Sequence, residues 1–121
     1  MTIFLHKGDL PKDLNLGNSV AVDTETQGLN PQRDRLCVVQ LSSGDGNAHL
    51  VQLKPEDYAG ATNLKALLED KNITKIFHFA RFDVAIIKKY LDADMQSVFC
   101  TKIASKLFRT YTDTHGLKDL L

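Results

Sequence analysis

Apolar positions in the first half of the chain recur in the short runs that are typical of strands. Residues 3–6 predict an edge strand, and Ser19–Thr26 predicts a strand whose last residues are acidic or hydroxylated. Residues 35–42 predict a second, mostly buried strand. Residues 44–47 carry a glycine-rich hairpin signal, after which residues 48–53 return as a third strand. The first half therefore predicts an antiparallel meander.

The period of the pattern changes in the second half, where helices and strands alternate. The first helix has leucine at positions 64, 67 and 68, and we expect Thr62 or Asn63 to cap it. The next elements are predicted as strand, helix, strand and helix, at 73–79, 81–91, 97–100 and from Thr101 onward. Strands followed by alternating helices and strands predict an α/β fold, a mixed central sheet covered by helices. The chain length predicts a single domain over residues 1–121.

The composition narrows the class of protein. Hydrophobic residues make up 43% of the chain and charged residues 25%, as in soluble globular proteins. Fifteen basic and fifteen acidic residues cancel, so no overall field favours nucleic acid or a membrane. Neither a signal peptide nor an apolar run of membrane-spanning length is present in the sequence, which predicts a cytoplasmic protein. Cys37 and Cys100 stand among apolar residues and are predicted to be reduced core residues.

Candidate chemistry begins with two carboxylates at the end of the second strand. Asp23 and Glu25 are two residues apart, so they share one face, and Thr24 and Thr26 lie on the other. Two like charges at this spacing favour a cation between them, and carboxylate oxygens suit Mg²⁺ or Mn²⁺. The alternative interpretation is a polar strand end that enters a turn.

A third carboxylate follows the strand predicted over 73–79. Asp83 is expected in the first turn of a mostly apolar helix, where the helix dipole favours an acid. A carboxylate among apolar neighbours also requires donors or a cation. If the strand that leads to His78 lies beside the strand of Asp23, the three acids meet at one edge of the sheet.

These residues resemble the first two motifs of the DEDD 3′–5′ exonucleases. The segment 23–29 is similar to the first motif, and His78 with Phe82 and Asp83 is similar to the second, in the ribonuclease D-like branch. The segments 34–46 and 99–107 resemble the nano-RNase C group, whose members cleave very short oligoribonucleotides. The resemblance covers essentially the whole chain. It implies a ribonuclease H-like exonuclease fold.

The resemblance also implies an activity. Asp23, Glu25 and Asp83 match metal-binding acids, which implies catalysis with two divalent cations, Mg²⁺ or Mn²⁺. The implied reaction is 3′–5′ hydrolysis of short single-stranded RNA, above all dinucleotides, with release of nucleoside 5′-monophosphates by a homo-oligomer. Leu29 matches a position that packs against the terminal bases in relatives. The predicted substrate contacts are Thr24, Thr26, Leu29, His78, Phe82 and Arg109. Further basic or aromatic candidates for substrate contacts are Arg81, Lys102, Lys106, Tyr111 and Lys118.

The third motif of the family, a tyrosine or histidine base with a fourth acid, is expected beyond Gly116. Tyr111, Asp113 and His115 do not have its spacing, so we expect the fold to be incomplete at the C-terminus and the 121-residue chain to hydrolyse slowly or not at all. Two other functions stay open. One is a nuclease of longer RNA, such as a tRNA-trimming enzyme, or of DNA. The other is an inactive fragment that binds nucleic acid or a partner.

Overall fold

A six-stranded mixed sheet forms the centre of the protein. The computed structural model describes residues 2–28, 30, 33–78 and 80–101. The strands are β1 Thr2–Lys7, β2 Ser19–Thr26, β3 Leu36–Ser42, β4 Asn47–Gln52, β5 Thr74–Phe77 and β6 Val98–Cys100. Their order across the sheet is β1-β4-β3-β2-β5-β6. The acidic strand β2 is therefore central, between β3 and β5.

The strand directions confirm the α/β class, and they show that the antiparallel meander comprises β2, β3 and β4 without β1. β2, β3 and β4 are antiparallel neighbours, as predicted. β5 pairs with β2 in parallel, and β6 pairs with β5 in parallel. The edge strand β1 does not continue the meander, because it pairs in parallel with β4. The last five strands have the order β4-β3-β2-β5-β6, and β2 is antiparallel to β3 and parallel to β5. This is the ribonuclease H-like arrangement that the resemblance implied.

Two α-helices and a 3₁₀ helix cover one face of this sheet. The 3₁₀ helix is Pro55–Gly60, α1 is Thr62–Glu69 and α2 is Ala80–Leu91. Alternate residues of β2 pack beneath them in one core, with Val20 and Val22 against buried side chains of α1 and α2. Among the described helices, none has the length and apolar character needed to cross a membrane. The helix predicted from Thr101 onward and the apolar run after Gly116 lie outside the described residues.

The cap of α1 differs from the prediction. Neither Thr62 nor Asn63 caps the helix, because both lie within α1 and Ala61 is the N-cap residue, without a side-chain hydrogen bond. The carboxylate of Asp9 accepts the backbone N–H groups of Asn63 at 3.0 Å and Leu64 at 2.8 Å instead. A carboxylate 54 residues away thus satisfies the free donors of the helix.

A buried lysine anchors the start of β5 beside β2. Lys75 is fully buried, and its ammonium donates hydrogen bonds to the carbonyls of Asp70 and Gln96. Burial lowers the pKa of Lys75, and the nearby Asp70 raises it. The lysine joins the end of α1 to the segment that enters β6, which fixes the strand that leads to His78.

Candidate active site

The two acids of β2 lie on the face of the sheet opposite the helices. Exposed and buried residues alternate along this strand, and Asp23 and Glu25 fall at exposed positions, as predicted. Oδ1 of Asp23 accepts the backbone N–H of Thr24 at 2.9 Å. This bond holds one carboxylate oxygen of Asp23, and no residue in the described part of the chain donates a hydrogen bond to the other.

A cleft of about 400 Å³ opens beside Asp23 on this face. Three neighbouring strands contribute to its lining, together with the segment that follows β5 and with Thr101. The lining includes Asp23, Gln40, Ser42, Ile76, His78 and Thr101. The cleft is thus bordered by one carboxylate, an amide, hydroxyls and an imidazole, groups that can hydrogen bond to a polar, anionic ligand.

Asp83 approaches β2 from the helical side. It lies in the first turn of α2 and is only 5% exposed. The hydroxyl of Thr24, itself 8% exposed, donates a hydrogen bond to Oδ1 of Asp83. Thr24 was predicted as a substrate contact, but its side chain lies on the buried face of β2. The structure instead gives this side chain the role of holding Asp83 against the acidic strand.

The charges of Asp23 and Glu25 affect the protonation of Asp83. The pKa of Asp83 is raised to about 6, mainly by burial and also by the negative charges of Asp23 and Glu25, against the lowering effect of the Thr24 hydrogen bond. The three carboxylates are therefore close enough to repel one another. A cation would relieve this repulsion and favour the ionised form of Asp83.

The three acids have the donor atoms that a divalent metal ion requires, but their positions match a metal site only in part. All three supply hard oxygen donors with an unbalanced negative charge, which suits Mg²⁺ or Mn²⁺. Within the part of the chain that the structure describes, however, no three histidine, cysteine or acidic side chains already form a ligand set. Asp83 faces Thr24, whereas Asp23 and Glu25 face the open side. The three acids are therefore close together, as expected. Their assignment as metal ligands stays a prediction.

His78 lies at the cleft, where its partner fixes the ring. Nδ1 is 2.7 Å from Oγ1 of Thr101, and this hydroxyl also lies 3.3 Å from the carbonyl oxygen of Phe77. Both contacts are satisfied together when Thr101 donates to Phe77 and accepts the N–H of Nδ1. Nε2 of His78 is then an acceptor. The structure thus brings the predicted His78 to the same cleft as Asp23.

The other predicted contacts have different surroundings. Thr26 donates its hydroxyl to the carbonyl of Gly28 in the turn after β2. Phe82 is half-buried and packs against the core, and it is not among the residues that line the cleft. Arg81 is exposed on α2. The predicted contacts Leu29 and Arg109, with Lys102, Lys106, Tyr111 and Lys118, lie outside the described residues.

Gln40 is a lining residue that the sequence interpretation missed. It pairs with Asp23 across β2 and β3 and is exposed in a strand whose other residues are buried or half-buried. The signal was present in the sequence, because a polar residue between Val39 and Leu41 marks the solvent side of a strand. Only the register of the two strands shows that this residue lies directly beside the acid.

Comparison with known proteins places these features in a family. A family model described as a 3′–5′ exonuclease matches residues 8–121. A search of curated protein sequences finds no match.

Solved structures of two kinds resemble the chain. NrnC of Brucella melitensis with bound Mg²⁺ is 57% identical, with a TM-score of 0.93 over 99% of this chain and 60% of that one. The same enzyme bound to pGG is also 57% identical, with a TM-score of 0.93 over 99% of this chain and 59% of the other. The catalytic core of RRP6 from Trypanosoma brucei is 27% identical, with a TM-score of 0.61, over 74% of this chain and 24% of that one.

The chain thus spans about 60% of the length of the NrnC structures that it matches. The acidic strand, the acid in the first turn of the following helix and the order of the sheet agree with the family match over nearly the whole chain. The chain belongs to the 3′–5′ exonuclease family, in its DEDD, NrnC-like branch.

Proposed function

We propose that this protein is a metal-dependent 3′–5′ exoribonuclease that releases nucleoside 5′-monophosphates from very short RNA, dinucleotides above all. One observation carries the proposal. Asp23 and Glu25 project from the open face of the central strand beside a cleft, while Asp83 is held from behind, with its pKa raised by burial and by the charges of both. The family match and the NrnC complex with pGG support the same substrate class.

Asp23, Glu25 and Asp83 are the residues that would hold divalent cations, Mg²⁺ or Mn²⁺. Two such ions, when bound, supply a water of lowered pKa and stabilise the charge on the leaving oxygen. The Mg²⁺ complex of NrnC supports this choice of ion. The chain contributes the negative charge and the oxygen donors, and it keeps apolar side chains behind them in the core.

Thr24 serves two of these acids at once. Its hydroxyl binds Oδ1 of Asp83, and its backbone N–H binds Oδ1 of Asp23. One residue therefore limits the rotation of a carboxylate on each face of β2. Preset orientation of this kind reduces the reorganisation that a reaction requires.

His78 and Gln40 are the proposed substrate contacts on the two flanks of Asp23. In the tautomer whose Nδ1 donates to Thr101, Nε2 of His78 is an acceptor. A ribose 2′-hydroxyl is a suitable donor to Nε2, and this group is what distinguishes RNA from DNA. The amide of Gln40 lines the same cleft and can donate to a phosphate oxygen.

A length series tests the substrate class. The chain is incubated with 5′-labelled RNA of two to ten nucleotides and with matched DNA, in Mn²⁺, in Mg²⁺ and with a chelator. We expect release of mononucleotides that is slow in the 121-residue chain, is fastest on the RNA dinucleotide and stops with chelator. Equal rates on long RNA or on DNA would support a ribonuclease D-like or DNA-directed enzyme instead. Binding without any release would support a nucleic-acid-binding module.

We also propose that the protein assembles into a homo-oligomer. The edge strand β1 exposes Ile3, Phe4 and Leu5, which are 62%, 42% and 58% exposed. An apolar edge strand of this kind is typical of a surface that a partner covers, and among the described strands β1 pairs only with β4, on one side. Light scattering on the purified chain should give a mass of several subunits, and a monomer at micromolar concentration would contradict this proposal.

A further inference from the structure

A single buried carboxylate organises the turn between β2 and β3. The side chain of Asp34 is 11% exposed, while that of the adjacent Arg33 is 78% exposed. We propose that Asp34 is a positioning residue for Glu25, which it controls through the end of β2 and without touching it. The inference rests on the proposed function, because it takes Glu25 to be a metal ligand.

The carboxylate of Asp34 closes the turn. Its Oδ2 accepts the backbone N–H of Asn30 at 3.0 Å, and the backbone N–H of Asp34 donates to the carbonyl of Asn30 at 2.7 Å. Arg33 donates to the same carboxylate from Nε at 3.1 Å and from Nη2 at 3.4 Å. The hydrogen bond from Arg33, and after it the one from Asn30, lowers the pKa of Asp34. The group is therefore ionised at neutral pH.

Gly28 lies directly against this carboxylate. A Cβ at Gly28 would collide with Oδ2 of Asp34 and would stand only 2.9 Å from its Cγ. The backbone of Gly28 can take this position only because it has no side chain. Its carbonyl in turn accepts the hydroxyl of Thr26. A continuous set of contacts thus leads from Asp34 through Gly28 to the residue that follows Glu25.

Strand β2 is irregular next to Thr26, the residue that contacts Gly28. Glu25 pairs with Val38 but Thr26 pairs with Leu36, so the register of β2 and β3 shifts between Glu25 and Thr26. A bulge redirects the side chains beside it. Beyond it, the N–H of Gln27 donates to the carbonyl of Arg35 at 3.1 Å, which pairs the turn again. The direction of Glu25 therefore depends on how the turn is held after the bulge.

This arrangement predicts an effect on metal affinity. Residues that orient a metal ligand from behind typically change affinity by about 10- to 100-fold when they are replaced. Asp34→Asn keeps the volume but loses the charge and one of the two acceptor oxygens. We expect it to weaken Mn²⁺ binding by about tenfold, and to leave the activity recoverable at high Mn²⁺ concentration. Asp34 acts through backbone, so the lower end of that range applies.

Calorimetric titration of the metal-free chain with Mn²⁺ tests the proposal, with thermal denaturation of each variant alongside. Gly28→Ala places a methyl group against the Asp34 carboxylate and so disrupts the contact between residues 28 and 34. It should weaken Mn²⁺ binding by a similar factor. One control should bind as wild type. Asp45→Asn alters another aspartate that accepts a turn N–H, from Asn47 at 2.9 Å, at the other end of β3.

The outcomes separate this inference from the proposed function. Wild-type affinity in folded Asp34→Asn and Gly28→Ala would overturn the positioning role, provided that Glu25→Gln weakens binding. Loss of folding in both variants would overturn it as well, since Asp34 would then be required for the whole fold. No effect of Glu25→Gln, or no binding by the wild type, would refute the proposed metal site itself.

Discussion

Replacement of Asp23 by asparagine is expected to lower metal-dependent release of mononucleotides on the order of 10³-fold. Asp23 is the acid that lines the cleft, and Thr24 fixes only one of its two oxygens. The asparagine keeps the shape and removes the charge that a divalent cation requires. Single-turnover assays on an RNA dinucleotide measure the loss, with product identified as nucleoside 5′-monophosphate.

A matched control is available in the loop before β2. Asp13 is exposed and does not line the cleft, so Asp13→Asn should keep wild-type activity. Thermal denaturation should show that both variants remain folded. Turnover of Asp23→Asn within tenfold of the wild type would refute the assignment of Asp23 as a metal ligand.

Replacement of Asp83 by asparagine is expected to stabilise the metal-free protein at pH 7.5 by about 3 kcal/mol. Burial and the two neighbouring acids raise the pKa of Asp83 in the folded state from 3.8 to about 6. Folding therefore favours the protonated form. Asp83 should therefore make the free energy of unfolding fall as pH rises from about 4 to about 6, with no further effect above that range. The variant should lack this contribution to the pH dependence.

The same variant should lose its response to metal. A divalent ion at one hundred times its dissociation constant stabilises the folded state by about 2.7 kcal/mol. We expect Mg²⁺ or Mn²⁺ to raise the melting temperature of the wild type and to leave that of Asp83→Asn unchanged. Chemical denaturation at pH 4.5, 6 and 7.5, with and without Mn²⁺, measures both effects. A variant less stable than the metal-free wild type at pH 7.5 would show that Asp83 is stabilised by its surroundings and not strained by them.

Local pattern predicted the elements of the fold well. The acidic strand was predicted at Ser19–Thr26 and is found there, because its alternation of apolar and polar residues reflects one buried face. Asp83 was expected in the first turn of an apolar helix, and α2 places it there. The parallel placement of β5 beside β2, on which the convergence of the acids depended, is also confirmed.

The contacts between distant segments could not be read from the sequence. The bond from Thr24 to Asp83 joins residues 59 positions apart, and the cap that Asp9 places on α1 joins residues 54 apart. The pattern showed that Thr24 lies on the face opposite Asp23, but not that Asp83 would occupy that face. In the same way, nothing local to residues 3–6 specifies β4 as the partner of β1. Strand pairing and long-range hydrogen bonds of this kind are determined by tertiary packing and not by local propensity.

Anomalous diffraction from crystals grown with Mn²⁺ tests the central claim most directly, because it locates the ions without reference to activity. The account predicts peaks within coordination distance of the carboxylates of Asp23, Glu25 and Asp83. Manganese bound elsewhere, or an Asp83 side chain that still bonds only Thr24 while the ions are held without it, would contradict the account.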